Sequence, residues 1–267
     1  MSVDQFKYLV TSGCSFTKSL PYLNRYSWAH HLSTILDIQL YNSAVGSNCN
    51  EMIARQCIYQ IEDLKTKVDT SEILVGVMWS GINRRAFYFE SEKVFNDIIK
   101  DINKDIETAP INPCIWPDTE NVWYLVNTSN RSSYAKNFYK KYQKDVLDTI
   151  HTLEHVLRLQ WYLEINKINY FMTQFMGIHS IGNIDNKKAL KNNKIISSLK
   201  KQINFANWLP VEGEYDWVKD NSKFPSTDND IHPTTEQHKE FTENIIIPWL
   251  KYNVGRKDYR HETSSIW

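Results

Sequence analysis

The chain has 267 residues, with 31 Lys and Arg against 31 Asp and Glu, a formal net charge of zero. That length allows a substantial core in one large domain or two small ones, and the balanced charge gives no basis for a nucleic-acid or anionic-membrane partner. No stretch approaches the ~18 apolar residues of a membrane span, and the opening Met1-Ser2-Val3-Asp4-Gln5 lacks a basic region followed by an apolar one, so no secretory signal is expected and the protein should be cytoplasmic at synthesis.

In chain order, Phe6 to Val10 reads as a buried strand followed by a Thr-Ser-Gly turn. Tyr26 to Leu36 places Trp28, Leu32, Ile35 and Leu36 on one helical face. Ile38 to Tyr41 suits a second strand. Asn50 to Lys67 reads as a helix with Ile53, Cys57, Ile61 and Leu64 at spacings of three and four. Ile73 to Trp79 is apolar on both faces, as a parallel strand covered on both sides requires. Glu92 to Glu107 reads as a helix, and Pro110 to Trp123, rich in Pro and Trp, as an irregular insertion or lid within 92–131. Ser132 to Ile165 is one long helical stretch with Val146, Ile150, Leu153, Leu157 and Trp161 as its core stripe. Ile168 to Phe175 is a fourth strand, Lys187 to Phe205 helical, and Trp208 to Asp230 loop. Thr234 to Ile247 is the last helix, opened by Pro233 and ended or kinked at Pro248. A polar tail follows from Tyr252. Strands separated by helices give an α/β fold with right-handed crossovers, taken as a single domain over 1–267.

In such a sheet ligands bind beyond the C-terminal strand ends, and three polar motifs fall there. Gly13-Cys14-Ser15-Phe16-Thr17 follows the first strand, Asn42-Ser43-Ala44-Val45-Gly46 the second, and Gly81-Ile82-Asn83 the third. Asp230-Ile231-His232-Pro233 precedes the last helix. Each alone is an ordinary turn or helix entry; their order and placement together supply a chemistry. Ser15 is a candidate nucleophile that needs a base, and His232 is the natural one, because imidazole as a group titrates near neutrality. Asp230, two residues before it, would hold the imidazole tautomer, with Asp228 as a second candidate. The backbone N–H groups of Ser15 and Gly46 and the Asn83 amide are candidate oxyanion donors.

Rival signals are weaker. His151-Thr152-Leu153-Glu154-His155 has the spacing of inverted zinc peptidases, but the helix stripe beside it favours a packing or solvated role. Cys14, Cys49, Cys57 and Cys114 form no Cys-x-x-Cys pair, so neither zinc nor a disulfide framework is expected. A thiol nucleophile at Cys14 would need exposure and a lowered pKa. Arg84 and Arg85 would bind an anionic substrate group or pair with carboxylates, the second being favoured. His238 is expected to pack or hydrogen-bond in the last helix. Abundant Trp and Tyr suit packing, or stacking on sugars.

The order serine, glycine, asparagine, histidine resembles the SGNH (GDSL-like) hydrolase superfamily, and the Gly-Cys-Ser-Phe-Thr and Asp-x-His-Pro-Thr ends are most similar to SGNH-type proteins of phage and marine bacterial genomes. The resemblance runs from Tyr8 to about Leu250 and leaves Glu92 to Glu164 unmatched. It implies a flavodoxin-like three-layer α/β sandwich with a mostly parallel sheet. It also implies a serine esterase without metal or other cofactor, acting on O-acyl, often O-acetyl, esters of a carbohydrate or small molecule. Cys14, Arg84 and Asn229 stand where many members carry Asp. The two-residue spacing known in that superfamily favours Asp230 as the acid. An altered carboxylate would instead suit a catalytically weak or inactive carbohydrate-binding or structural protein, for instance a virion-associated one.

Overall fold

The apolar runs become the strands of two sheets. The computed structural model describes residues 3–90, 93, 113–115, 122–126, 133–142, 144–177, 188–226 and 230–254. Strands β1 (Tyr8–Ser12), β2 (Gln39–Asn42), β3 (Ile73–Trp79) and β7 (Asn169–Gln174) form a parallel sheet in the order β2-β1-β3-β7. Strands β4 (Arg85–Phe89), β5 (Pro113–Ile115) and β6 (Val122–Val126) form an antiparallel one in the order β4-β6-β5. The helices are α1 (Trp28–Leu36), α2 (Asn50–Lys65), α3 (Ser133–Tyr142), α4 (Asp145–Ile165), α5 (Lys188–Lys191), α6 (Lys194–Lys200), α7 (Glu214–Asn221), α8 (Thr235–Phe241) and α9 (Ile247–Asn253). A π-helical turn, Thr242–Ile246, joins α8 to α9.

Strand side chains alternate between faces, so each strand feeds two cores. Val10, Val75, Val77 and Met172 pack with Ile53, Cys57 and Ile61 of α2 and Leu153, Val156 and Leu163 of α4. Leu9, Leu74, Met78 and Phe171 pack with Trp28 and Leu32 of α1, Phe241 of α8 and Leu250 of α9. The result is a three-layer α/β sandwich. A single parallel bridge from Met172 to Trp208 continues the sheet beyond β7. Among the described residues no helix is long and apolar enough to cross a membrane.

The structure departs from several sequence expectations. The stretch from Ser132 to Ile165 is two helices; Lys144 takes extended backbone at φ −140°, and Asp145 and Asp148 then start α4 with charge favourable to its N-terminus. The stretch from Lys187 to Phe205 is also divided, because the Asn193 side chain accepts the Ile195 and Ile196 N–H groups and starts α6 afresh. Within Trp208 to Asp230 lies helix α7, capped by Gly213, with Glu214 and Asp216 in its first turn. Ile35 and Trp161, assigned to core stripes, are 43% and 47% exposed, because the buried stripes run through Leu32 and Ser33 in α1 and through Val156, Leu159 and Leu163 in α4. Within 92–131 the described parts are mainly strand: Val122-Trp123-Tyr124-Leu125-Val126 has strand-favouring side chains and pairs with Arg85–Phe89. The helix expected over 92–107, apart from residue 93, lies outside the described residues, as does the tail beyond 254. Pro248 lies inside the final helical run and does not end it.

Candidate active site

Strands β2, β1 and β3 lie side by side, so the loops leaving their C-terminal ends converge. After β1 the chain makes one helical turn: the Thr17 and Lys18 N–H groups donate to the Cys14 carbonyl at 3.0 and 3.1 Å. This turn presents Ser15. Gly13 allows it, because a side chain there would run into the Thr17 side chain and the Met78 carbonyl. The Thr17 hydroxyl in turn accepts the Trp28 indole N–H at 3.2 Å.

A frame of asparagines fixes the neighbouring loops. The Asn42 amide donates to the Thr17 carbonyl at 2.8 Å, and its oxygen accepts the Ala44 N–H at 3.0 Å. The Asn48 amide donates to the Gly13 carbonyl at 3.1 Å and to Gln56 Oε1 at 2.9 Å. With the Val45 N–H donating to Gly13 at 3.3 Å, this holds the Gly46 loop against the Ser15 turn. Ser47 beside Gly46 has a left-handed φ of 61°, a costly conformation that structure retains where the surroundings enforce it. Asn50 clamps the start of α2 to the end of β3: its oxygen accepts the Ser80 N–H at 2.7 Å and its amide donates to the Ser80 carbonyl at 3.1 Å. Asn83 follows on a turn closed by Arg84 N–H to Gly81 carbonyl, 3.3 Å, and Tyr139 Oη donates to the Asn83 carbonyl at 2.7 Å. Among the described residues the backbone N–H groups of Ser15 and Gly46 donate to no protein acceptor.

His232 arrives from the far end of the chain. Thr234 caps α8 with a reciprocal capping box to Gln237, and the Thr235 hydroxyl bridges the Tyr26 N–H and the Asn24 carbonyl at 3.1 and 3.0 Å. The loop so fixed places His232 Nε2 2.7 Å from Ser15 Oγ and His232 Nδ1 2.5 Å from Asp230 Oδ1. Asp230 Oδ1 also accepts the His232 backbone N–H at 3.0 Å, and Arg25 Nη1 lies 3.7 Å from Oδ2. That backbone N–H first, then the ring and Arg25, hold the Asp230 carboxyl below the usual carboxylate range. A carboxylate only accepts, so Nδ1 carries a hydrogen and Nε2 is left to accept the Ser15 hydroxyl. The Phe16 ring, buried, lies 5.0 Å from the imidazole and packs edge-on to Phe175 at 5.3 Å.

Ser15, His232 and Asp230 thus form one hydrogen-bonded chain, with Gly46 and Asn83 on adjacent strand-end loops. Asp228 and Asn229 lie outside the described residues. The Cys14 thiol is buried in the apolar core, away from the exposure a nucleophile needs. His238 is buried with Nδ1 2.6 Å from Oε1 of Glu214, whose carboxyl burial pushes up. His155 is pushed down to about 3 by burial, and then by Arg158, His151, Arg55 and Arg85, surroundings that oppose a metal dication. Among the described residues no three His, Cys, Asp or Glu gather to hold a metal. Sequence reasoning missed the asparagine frame and Arg25. Three asparagines within nine residues, Asn42 to Asn50, were the available signal.

Residues 17–259 match the family model described as a family of unknown function (DUF6071). No curated protein matches the chain. Two of the solved structures that are similar are GDSL-type proteins. One is a candidate lipolytic protein of the G-D-S-L family from Desulfitobacterium hafniense DCB-2, at 12% identity and TM-score 0.41, covering 89% of this chain and 96% of that one. The other is a candidate GDSL-like lipase from Parabacteroides merdae ATCC 43184, at 10% identity and TM-score 0.42, covering 94% of this chain and 97% of that one. At such scores neither bears on the chemistry, which rests on the side chains.

Proposed function

The chain belongs to DUF6071, a family of unknown function, and from its own geometry we propose that it is a serine esterase acting on O-acyl esters, acetyl among them, of a carbohydrate or other small molecule. The observation that carries this reading is the chain of hydrogen bonds from Ser15 Oγ through both His232 nitrogens to Asp230. Ser15 Oγ attacks the ester carbonyl as His232 Nε2 takes its proton, and Asp230 stabilises the imidazolium that forms. The carbonyl oxygen gathers negative charge toward the Ser15 and Gly46 N–H groups and the Asn83 amide. Collapse breaks the ester C–O bond, and His232 returns the proton to the departing alcohol. Water, deprotonated by His232, then releases the acid and restores Ser15. No step calls for a metal.

The test is hydrolysis of p-nitrophenyl acetate and butyrate by wild type beside Ser15→Ala, with fluorophosphonate labelling of the same samples. Wild type should turn over and label, and Ser15→Ala should lose roughly three orders of magnitude or more in kcat. Equal rates and equal labelling in two folded proteins would sink the esterase reading and favour a binding role.

A further inference from the structure

The turn after β3 carries two adjacent arginines with different surroundings. Arg85 forms a salt bridge with Asp148 of α4, in which the carboxylate is 6% exposed, and donates to the Ile82 and Arg84 carbonyls at 3.4 and 3.1 Å. Its role is structural. Arg84, half-buried, has no carboxylate partner among the described residues. Its Nη1 makes one long hydrogen bond, 3.5 Å, to the Asn48 carbonyl, and its guanidinium carbon sits 5.2 Å from the centre of the Phe175 ring. Among the described residues the rest of its donor fork meets no acceptor.

Both contacts lead to the reacting groups. Asn48 holds the Gly13 carbonyl, two residues before Ser15. Phe175 packs on Phe16, which packs on His232. Around Gly81, the place a β-carbon would occupy is 3.1 Å from Asn83 Oδ1 and 3.7 Å from Arg84 Nε, so Arg84 flanks the amide assigned to the oxyanion. An aromatic face orients a guanidinium plane without consuming its N–H edge, and that edge matches carboxylate and phosphate oxygens.

We infer that Arg84 is a specificity-determining residue that binds a carboxylate or phosphate carried by the ester substrate. The inference rests on the esterase reading and narrows its substrates to anionic esters. The balanced charge of the chain makes this a local recognition and not a long-range field.

The anion belongs to the acyl or the alcohol half of the ester, and two probes separate these. Mono-p-nitrophenyl succinate carries it on the acyl half, with p-nitrophenyl butyrate as neutral partner. p-Acetoxybenzoate carries it on the alcohol half, with phenyl acetate as partner. Wild type should prefer one charged ester, and Arg84→Gln should lower that charged-to-neutral ratio of kcat/KM roughly ten- to a hundredfold, the worth of a charged hydrogen bond. Arg84→Lys should fall between, and added salt should shrink the wild-type preference. Ratios unchanged by Arg84→Gln for both probes would overturn the inference. Absence of any Ser15-dependent turnover would instead defeat the esterase reading. Arg84 is then judged by calorimetric binding of mono-p-nitrophenyl succinate and p-acetoxybenzoate, where weaker binding of either to Arg84→Gln than to wild type supports it and equal affinity, or none, overturns it.

Discussion

Asp230 makes two bonds to one residue, to the backbone N–H and to the ring of His232. That doubled contact fixes the ring tautomer at little conformational cost, since the partners are two positions apart. Asp230→Asn keeps the shape but presents an amide that can donate to Nδ1 and place the ring hydrogen on Nε2, facing Ser15. Turnover of p-nitrophenyl acetate should fall by about two to four orders of magnitude, with the fold retained by circular dichroism. A loss under about threefold would remove Asp230 from the relay. These residues were legible in sequence because each sits in a short motif with its neighbours. The asparagine frame was not, since Asn50 meets Ser80 and Asn48 meets Gly13 only across the fold.

At the level of elements, two partly buried histidines are held in neutral form, and one of them ties helices together. His31 Nε2 donates to the Thr235 carbonyl at 3.0 Å and joins α1 to α8. Burial first, then His30, pushes it down from 6.5 to about 4, and His155 on α4 lies at about 3. Between 6.5 and these values the unfolded chain binds protons that the folded one refuses. Stability from these residues is therefore full above 6.5 and declines as pH falls toward 4 for His31 and toward 3 for His155. Urea midpoints measured across that interval should drop on acidification, and less steeply in His155→Gln. An identical pH dependence in wild type and variant would contradict this account. Helix and strand boundaries were readable where apolar periodicity was strong, as in α2 and β3. They failed at the breaks: Lys144, Asn193 and Gly213 divide or start helices through backbone conformation and capping, which leave little trace in periodicity.

Across the whole molecule, the sheet and the layer that carries α1 pack tightly at Gly76. A β-carbon there would stand 2.7 Å from Phe171 Cζ and 3.0 Å from Trp28 Cη2. Both rings are fully buried, so neither can withdraw into solvent. Gly76→Ala should therefore destabilise by about 1–3 kcal/mol as an overpacked core does, read as a lowered denaturant midpoint. A neutral or stabilising effect would mean that the layers can slide apart without cost. The α/β class was legible because buried parallel strands leave continuous apolar runs. The β4-β6-β5 sheet was not, since β4 and β6 lie far apart in the chain and β5, three residues long, is too short to leave a pattern.

The turn from Thr242 to Ile246 has a lineage consequence. The Ile247 N–H reaches back to the Thr242 carbonyl, five residues away, and the next residue, Pro248, has no N–H to offer. A wide turn of this kind is one residue in excess of an α-helix, so deleting one residue within it would restore ordinary helical spacing while leaving both flanks in place. Pro248 would then face the carbonyl four residues earlier with nothing to relieve the clash. The surplus residue and the proline are thus mutually permissive: relatives that lose one should have lost the other.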